Sequence, residues 1–248
     1  ATSLSGGTVT ALETYSWTTD SANRPYVWAT NSVLDPYDSA KKITSRVEQS
    51  LDADGNLVWR KLYDFGTGGN AATTPSRTYN YTYVTSSTYR DRYLRGLPSS
   101  STVTGVGGTY TLASIQYDQT ALSAAASNPL YQHDSANYGT GFTTRGNPTT
   151  ITRLGVTSTA TYDITGVART ASGGGTSAEL TPSMNNMVPG IIKPNGSATL
   201  QETVTYNDNL QPTQIQGPNQ ATETQTYSAT ARPESVTNAH GKVTNFTY

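Results

Sequence analysis

The chain contains two histidines, His133 and His240, and no cysteine. Histidine is the side chain whose ordinary pKa lies nearest neutrality, so these two are the candidates for a general base. His133 is followed by Asp134, a pair that could orient a serine nucleophile, but no Gly-x-Ser-x-Gly elbow occurs. His240 stands beside Gly241 in Asn238-Ala239-His240-Gly241, at a place where sister segments carry Asn195 or Asn219, and so reads as a turn residue. Asp52-Ala53-Asp54-Gly55-Asn56 has alternating carboxylates that could begin a calcium loop, but the later bidentate Glu is missing. Asp-Gly followed by Asn is equally what a hairpin turn requires, and the turn is the favoured reading. Gly173-Gly174-Gly175-Thr176 lacks the Lys and the following helix of a phosphate cradle and reads as a loop. Without cysteine there is neither a disulfide framework nor a thiolate metal site. No catalytic, cofactor-binding or metal-ligating set emerges, and a non-enzymatic role is the expectation.

Aromatic side chains are the better candidates for contact. Tyr79, Tyr81 and Tyr83 alternate along a strand candidate and would line one of its faces, where they could stack on sugar rings or on a neighbouring sheet. Trp17, Trp28 and Trp59 join them as possible glycan or partner contacts, with packing between layers as the alternative. Asn80-Tyr81-Thr82, Asn195-Gly196-Ser197 and Asn245-Phe246-Thr247 match glycosylation acceptors, a pattern that arises readily in a Thr-rich chain.

The elements that must position these residues are strands. Thr and Val recur at alternating positions, and 17 Tyr against 3 Phe supply apolar area that keeps a hydroxyl. A net charge of −1 with 13% charged residues separates this composition from the highly charged disordered class. The same balance argues against a nucleic-acid partner, which would need a basic stripe. No run approaches the roughly 18 apolar residues of a membrane span. Residues 1–10 lack an initiator Met and the layout of a signal peptide, so the chain reads as a mature or excised piece of something longer.

A ladder orders the C-terminal half. Taking Phe142, Tyr162, Ser183, Tyr206, Tyr227 and Tyr248 as equivalent, the steps are 20, 21, 23, 21 and 21 residues. Pro148, Pro189, Pro212 and Pro233 each follow six residues after a rung, and Gly146 and Gly166 follow four after theirs. Tyr162-Asp163-Ile164-Thr165-Gly166 carries an Asp directly after the aromatic. A near-constant step marks a repeat array, in which each unit has a face it cannot bury alone. The unit reads as two short strands and two turns: the aromatic ends a strand, Gly permits the turn, and Pro opens the return strand, where a missing N–H does least harm. The sequence therefore predicts an all-β fold of tandem β-hairpin repeats, about 21 residues each, forming a twisted, spiralling strip or part of a shell.

The organisation expected is one continuous repeat domain: an irregular β segment over 1–50, degenerate repeats over 51–118, a surface excursion over 119–141 and regular repeats over 142–248. Residues 51–56 read as a unit whose aromatic became Leu51, with 63–66 and 117–118 as further fragments. The N-terminal half reads as the less regular one. Residues 79–93 should hold one or two strands, and the Ala-rich stretch 122–127 a helical turn or more.

Tyr-Asp-x-x-Gly units recurring about every 21 residues resemble the YD (Rhs) repeats of bacterial surface and toxin-delivery proteins, related to the repeats of animal teneurins. The match is closest over 142–169 and 206–248. The resemblance implies hairpins joined into a strip that spirals into a hollow shell around a toxin or other cargo, outside the cytoplasm or at the bacterial cell surface. Family members often end in a core with paired Asp-Pro motifs linked to self-cleavage. Here the single Asp-Pro pair is Asp35-Pro36, at the other end of the chain.

Three functions follow as expectations. The first is a wall segment of an Rhs-like surface or encapsulating shell, partnered by the rest of a larger YD-repeat chain. The second is a self-assembling extracellular filament subunit whose copies pair through open β edges. The third is a glycan-binding adhesion module.

Overall fold

The computed structural model describes residues 2–5, 8–126, 130 and 133–248, which divide into two compact units. The first comprises the residues up to Ile115 with Thr152–Leu154, the second Gln116–Ile151 with Gly155–Tyr248. Both are all-β. In the first, strands β1 (Thr2–Ser5), β2 (Thr8–Thr19), β3 (Pro25–Leu34), β4 (Ile43–Leu51), β5 (Leu57–Thr67), β6 (Arg77–Tyr83), β7 (Pro98–Gly105) and β8 (Gly108–Tyr117) pair antiparallel, each with the next in sequence. Strand β8, by its last two residues, and strand β9 (Pro148–Arg153) straddle the division. In the second, β10 (Val156–Tyr162), β11 (Ala168–Gly173), β12 (Thr176–Ser183), β13 (Val188–Pro194), β14 (Glu202–Tyr206), β15 (Pro212–Gln216), β16 (Thr222–Tyr227), β17 (Pro233–Thr237) and β18 (Val243–Asn245) do the same. The chain is thus a series of tandem hairpins, as the repeat pattern predicts.

The residue types explain the elements. Strand interiors are Thr, Val, Tyr and Gln, which suit a pleated, half-buried surface. Pro25, Pro98, Pro148, Pro212 and Pro233 each open a strand, where no ladder donor is lost. Few side chains are fully covered: Ala29 and Val33 in the first unit, Tyr117 and Ile164 in the second, are the buried apolar residues among those described. Strand pairing and the closing turns therefore carry much of the order that a thick core supplies elsewhere.

One turn recurs. Over residues 20–24, 52–56, 163–167, 207–211, 217–221, 228–232 and 238–242, the first N–H donates to the fifth carbonyl and the fourth N–H to the first carbonyl. The fourth residue always takes positive φ: Asn23, Gly55, Gly166, Leu210, Gln220, Ala231 and Gly241. Where the first residue is Asp or Asn, its Oδ1 accepts from the third and fifth amides, an Asx turn built into the hairpin. This explains an Asp after the aromatic: its carboxylate pins the backbone of the next four residues. Glycine is the unstrained choice for the fourth position, yet Leu210 and Ala231 hold it in two of the most regular copies.

A β-bulge accompanies the turn where it follows an aromatic or its replacement. The register shifts immediately before Leu51, Tyr83, Tyr162, Tyr206 and Tyr227, which then face Leu57, Pro98, Ala168, Pro212 and Pro233. One extra residue on the return strand follows, which sharpens the local twist.

Several segments differ from the sequence expectation. Residues 63–66 are not a turn but the later part of β5. Residues 79–93 hold one strand, β6, within the expectation, but add an unexpected single helical turn, α1 (Ser87–Arg90). The Ala-rich stretch is not helical from 122 to 126; Ser123 instead forms a lone parallel bridge with Asp163, and Ser127 lies outside the described residues. Alanine's propensity yields here to backbone bonds from Ser123 to Tyr162 and from Ile164 to Ser123. The N-terminal half is also regular: the residues before its closing turns, Thr19, Leu51 and Tyr83, are spaced by 32 and 32 residues.

Candidate functional site

The would-be catalytic residues are engaged locally. His133 Nδ1 lies 2.9 Å from Ser135 Oγ. The Asp134 carboxylate accepts from the side chain and backbone of Asn137, which hold its pKa below the ordinary carboxylate range. His240 is the third residue of its turn, its N–H donating to Asn238 Oδ1, as that of Asn209 donates to Asn207. Gly174 and Gly175, both at positive φ, form a two-residue hairpin turn between β11 and β12. Asp52 is the first residue of a turn, with Oδ1 accepting from the Asp54 and Asn56 amides and Oδ2 from Asn56 Nδ2. Burial works to raise its pKa, but these bonds outweigh it and the pKa is lowered. Asp54 points elsewhere, pairing with Arg90 at 2.5 Å and Arg95 at 3.4 Å.

The repeat residues come together as a ladder of hydroxyls. Tyr162 donates to the carbonyl of Pro148 at 3.0 Å, Tyr206 to that of Pro189 at 2.8 Å, and Tyr227 to that of Pro212 at 3.0 Å. In the first unit Tyr83 donates to Leu57 in the same way, at 3.1 Å. Each aromatic thus reaches back to a carbonyl at the start of the preceding hairpin's return strand, at its first residue for Leu57, Pro148 and Pro212 and at its second for Pro189. Burial raises the phenol pKa of Tyr83, Tyr162 and Tyr206, as expected for hydroxyls withdrawn from water. Tyr248 makes no such bond among those found; its exposed ring lies 5.5 Å from the Arg232 guanidinium.

Two rungs depart from the ladder. Ser183 pairs with Val188, while Pro189 faces Pro182, so this copy closes through a different turn with Met184, Asn185 and Asn186 all at positive φ. Phe142 ends no strand. The Asp118 N–H donates to the Asn147 carbonyl, the Asp118 carboxylate accepts from the amides of Arg145, Gly146 and Asn147, and Gly146 takes positive φ. Tyr117-Asp118 therefore begins the turn that Gly146-Asn147-Pro148 completes, and the excursion is inserted inside it. Phe142 belongs to the insertion, edge-on to Tyr138 and beneath Arg145. Residues 84–97 are a second insertion at the equivalent place, closed by Val84 N–H to the Leu97 carbonyl.

Asp163 is wholly buried and joins the elements around it. Its Oδ1 holds Thr165 and Val167, while Oδ2 accepts from Asn186 Nδ2 at 2.5 Å and lies 3.7 Å from Arg169. Asn186, only 3% exposed, carried no sequence signal, because Met-Asn-Asn-Met reads as an ordinary loop.

The aromatic contact candidates divide between surfaces. Tyr79, Tyr81 and Tyr83 share a face of β6 and are half-buried. Trp59 opposes Asn80 and so lies on the other face, beneath Lys61 at 4.6 Å. Trp17 is 67% exposed, and Trp28 lies beneath the Arg46 guanidinium at 5.0 Å. Sequence reading missed the polar cluster beside Trp28. Asn31, Arg46 and Tyr63 stand directly opposite one another across β3, β4 and β5. Arg46 pairs with Glu48 at 2.8 Å, and the Tyr63 hydroxyl donates to Glu48 at 2.8 Å. Burial and then the Glu48 carboxylate raise the Tyr63 pKa. The signal available was Arg46-x-Glu48 in a strand, whose alternation puts both on one face.

No protein-family model matches the sequence, and no curated protein does. Solved structures match by fold. The crystal structure of TcdB2-TccC3 without its hypervariable C-terminal region superposes with a TM-score of 0.58 at 12% identity, over 97% of this chain and 16% of that one. The crystal structure of TcdB2-TccC3 gives 0.55 at 13% identity with the same coverage. The chain thus spans about a sixth of the length of those it resembles, and the likeness is one of fold.

Proposed function

We propose that the chain is a structural wall segment of an Rhs-like surface or encapsulating shell, acting outside the cytoplasm without catalysis. The observation that carries this reading is the hydroxyl ladder: three hairpins of the second unit are each fastened to their predecessor by a tyrosine reaching a carbonyl at or next to the start of a strand. Such a device propagates hairpins side by side without a central core, as a wall requires. The fold likeness to TcdB2-TccC3 over 97% of the chain supports it, as does the resemblance of the Tyr-Asp-x-x-Gly units to YD repeats. The histidines and the buried Asp163 serve turns and loops, which favours a structural role over an enzymatic one.

Cryo-electron microscopy of the intact gene product that carries residues 1–248 tests the proposal. A hollow β wall containing these hairpins is the expected result. A filament of repeating copies, or a solid domain with both faces of these hairpins packed inside, would overturn it.

A further inference from the structure

Strand β2 is covered along one edge and largely bare along the other. Its pairing with β3 runs from Ala11 to Thr19. On the opposite edge β1 pairs with Thr8 to Leu12 only, and within the first unit no described strand takes up Thr14 to Thr19. Strands β3 to β7 are, by contrast, each paired on both sides. In an antiparallel pair a residue turns its N–H and C=O toward the same neighbour, and successive residues alternate between neighbours. Every second residue of Thr14 to Thr19 therefore presents a donor and an acceptor to an edge with no strand on it.

The edge lacks the devices that keep such edges away from other strands. Thr14-Tyr15-Ser16-Trp17-Thr18-Thr19 contains no charge and no proline. The register shift between Ser16 and Trp17 comes from an extra residue on β3, Trp28, so β2 itself stays regular. Tyr15 and Trp17 share one face and are 48% and 67% exposed. Thr, Tyr and Trp are residues of a strand with neighbours on both sides, and an aromatic beside an open ladder is what a cross-strand side chain packs against.

We propose that this edge is the seat of a longer β1, in which polypeptide preceding Ala1 in the intact gene product continues the strand along β2 as far as Thr19. The inference rests on the wall-segment reading, in which these residues belong to a larger chain. Direction and register single out the occupant. β1 runs antiparallel to β2, with Ser3 opposite Ala11 and Thr2 opposite Leu12. Continued residue by residue, the same ladder carries the preceding chain past Glu13 and onto Thr14 to Thr19. A strand already in register extends without closing a new loop, whereas a separate molecule must give up its translational and rotational freedom to reach the same edge. The extension also brings β1, 4 residues long, into line with β2 to β5, which run 9 to 12. β-Branched or aromatic residues are expected opposite Tyr15 and Trp17.

Hydrogen exchange on two forms, the 1–248 chain and the same chain carrying its natural upstream residues, supplies the test. The edge-facing amides among Thr14 to Thr19 are expected to exchange quickly in the first form and about tenfold or more slowly in the second, the effect of one added backbone hydrogen bond each. Iodide quenching of Trp17, isolated by difference from Trp17→Phe, should fall in the second form as well. Equal exchange in the two forms would overturn the proposal. So would protection in the 1–248 chain that grows with protein concentration, which would put a second copy on the edge, or a mature gene product that begins at Ala1. Each of these results leaves the wall reading standing, since that reading is decided separately by electron microscopy of the intact product.

Discussion

The two units use one hairpin-closing turn on hairpins of different length. In the second unit the strands from β14 to β17 are 5 or 6 residues long, and the aromatic returns every 21 residues from Tyr206 to Tyr248. In the first, β2 to β5 run 9 to 12 residues and the turns at Thr19, Leu51 and Tyr83 return every 32. The turn is the invariant part and strand length is the variable. Short hairpins leave room for little beyond the ladder. Long ones provide a face broad enough to carry the Asn31, Arg46, Glu48 and Tyr63 cluster. Each unit carries one closing turn enlarged by an insertion, over 84–97 and 118–147. A five-residue turn tolerates this because its ends are pinned by backbone bonds whatever lies between them.

The comparison breaks first at Asp163. Asp163→Ala removes the acceptor for two backbone amides and leaves Asn186 and Arg169 without their buried partner. It should destabilise the second unit by about 3 kcal/mol or more in urea unfolding, the scale for breaking a buried charged network. Asp54→Ala, which cuts the partly exposed pairs to Arg90 and Arg95 in the first unit, should cost about 1 kcal/mol or less and lose that small effect in high salt. Equal losses from the two would show that the buried carboxylate is not special.

Tyr206→Phe and Tyr83→Phe test whether the hydroxyl ladder serves both units. Each removes one bond to a carbonyl and should lower stability by about 1 kcal/mol. Unequal values would mean that the longer hairpins no longer depend on the ladder. Ala231→Gly should act in the opposite direction, raising stability by about 0.5–1 kcal/mol, because Ala231 sits at φ 64° where an L-residue is strained. No rise in thermal midpoint would contradict the strain.

The smallest effect expected is with pH. The turn carboxylates of Asp20 and Asp52 both have lowered pKa in the folded chain. At Asp20 the Arg24 backbone and side-chain bonds are responsible; at Asp52 the amide bonds overcome burial. Their stabilisation is complete above the ordinary carboxylate pKa of about 4 and is lost as pH falls through the lowered folded values. Urea midpoints measured from pH 6 to pH 2.5 should therefore drop toward the acid end, with a shallower drop in Asp52→Asn. An identical profile in that variant would remove Asp52 from the account.

The local parts of this protein are legible in its residues. Asx, Gly and Pro at fixed offsets made the turns legible, and Thr, Val and Tyr in alternation made the strands legible, because each rests on backbone preferences of a few adjacent residues. The sequence also carried the 21-residue step, which holds from Tyr206 to Tyr248, where the hairpins are short. Register and enclosure were decided only in three dimensions. Phe142 sits six residues before Pro148 and satisfied the pattern, yet the turn belongs to Tyr117 and Asp118, across an insertion that no local rule detects. The 32-residue step stayed hidden because Thr19 carries no mark of a rung, so Leu51, legible as a replaced aromatic, had no partner to set the interval. The tyrosine-to-carbonyl bonds, the Asp163–Asn186 contact and the Glu48–Tyr63 bond join residues 14 or more positions apart. Such contacts form only once strand pairing has fixed which side chains stand opposite one another.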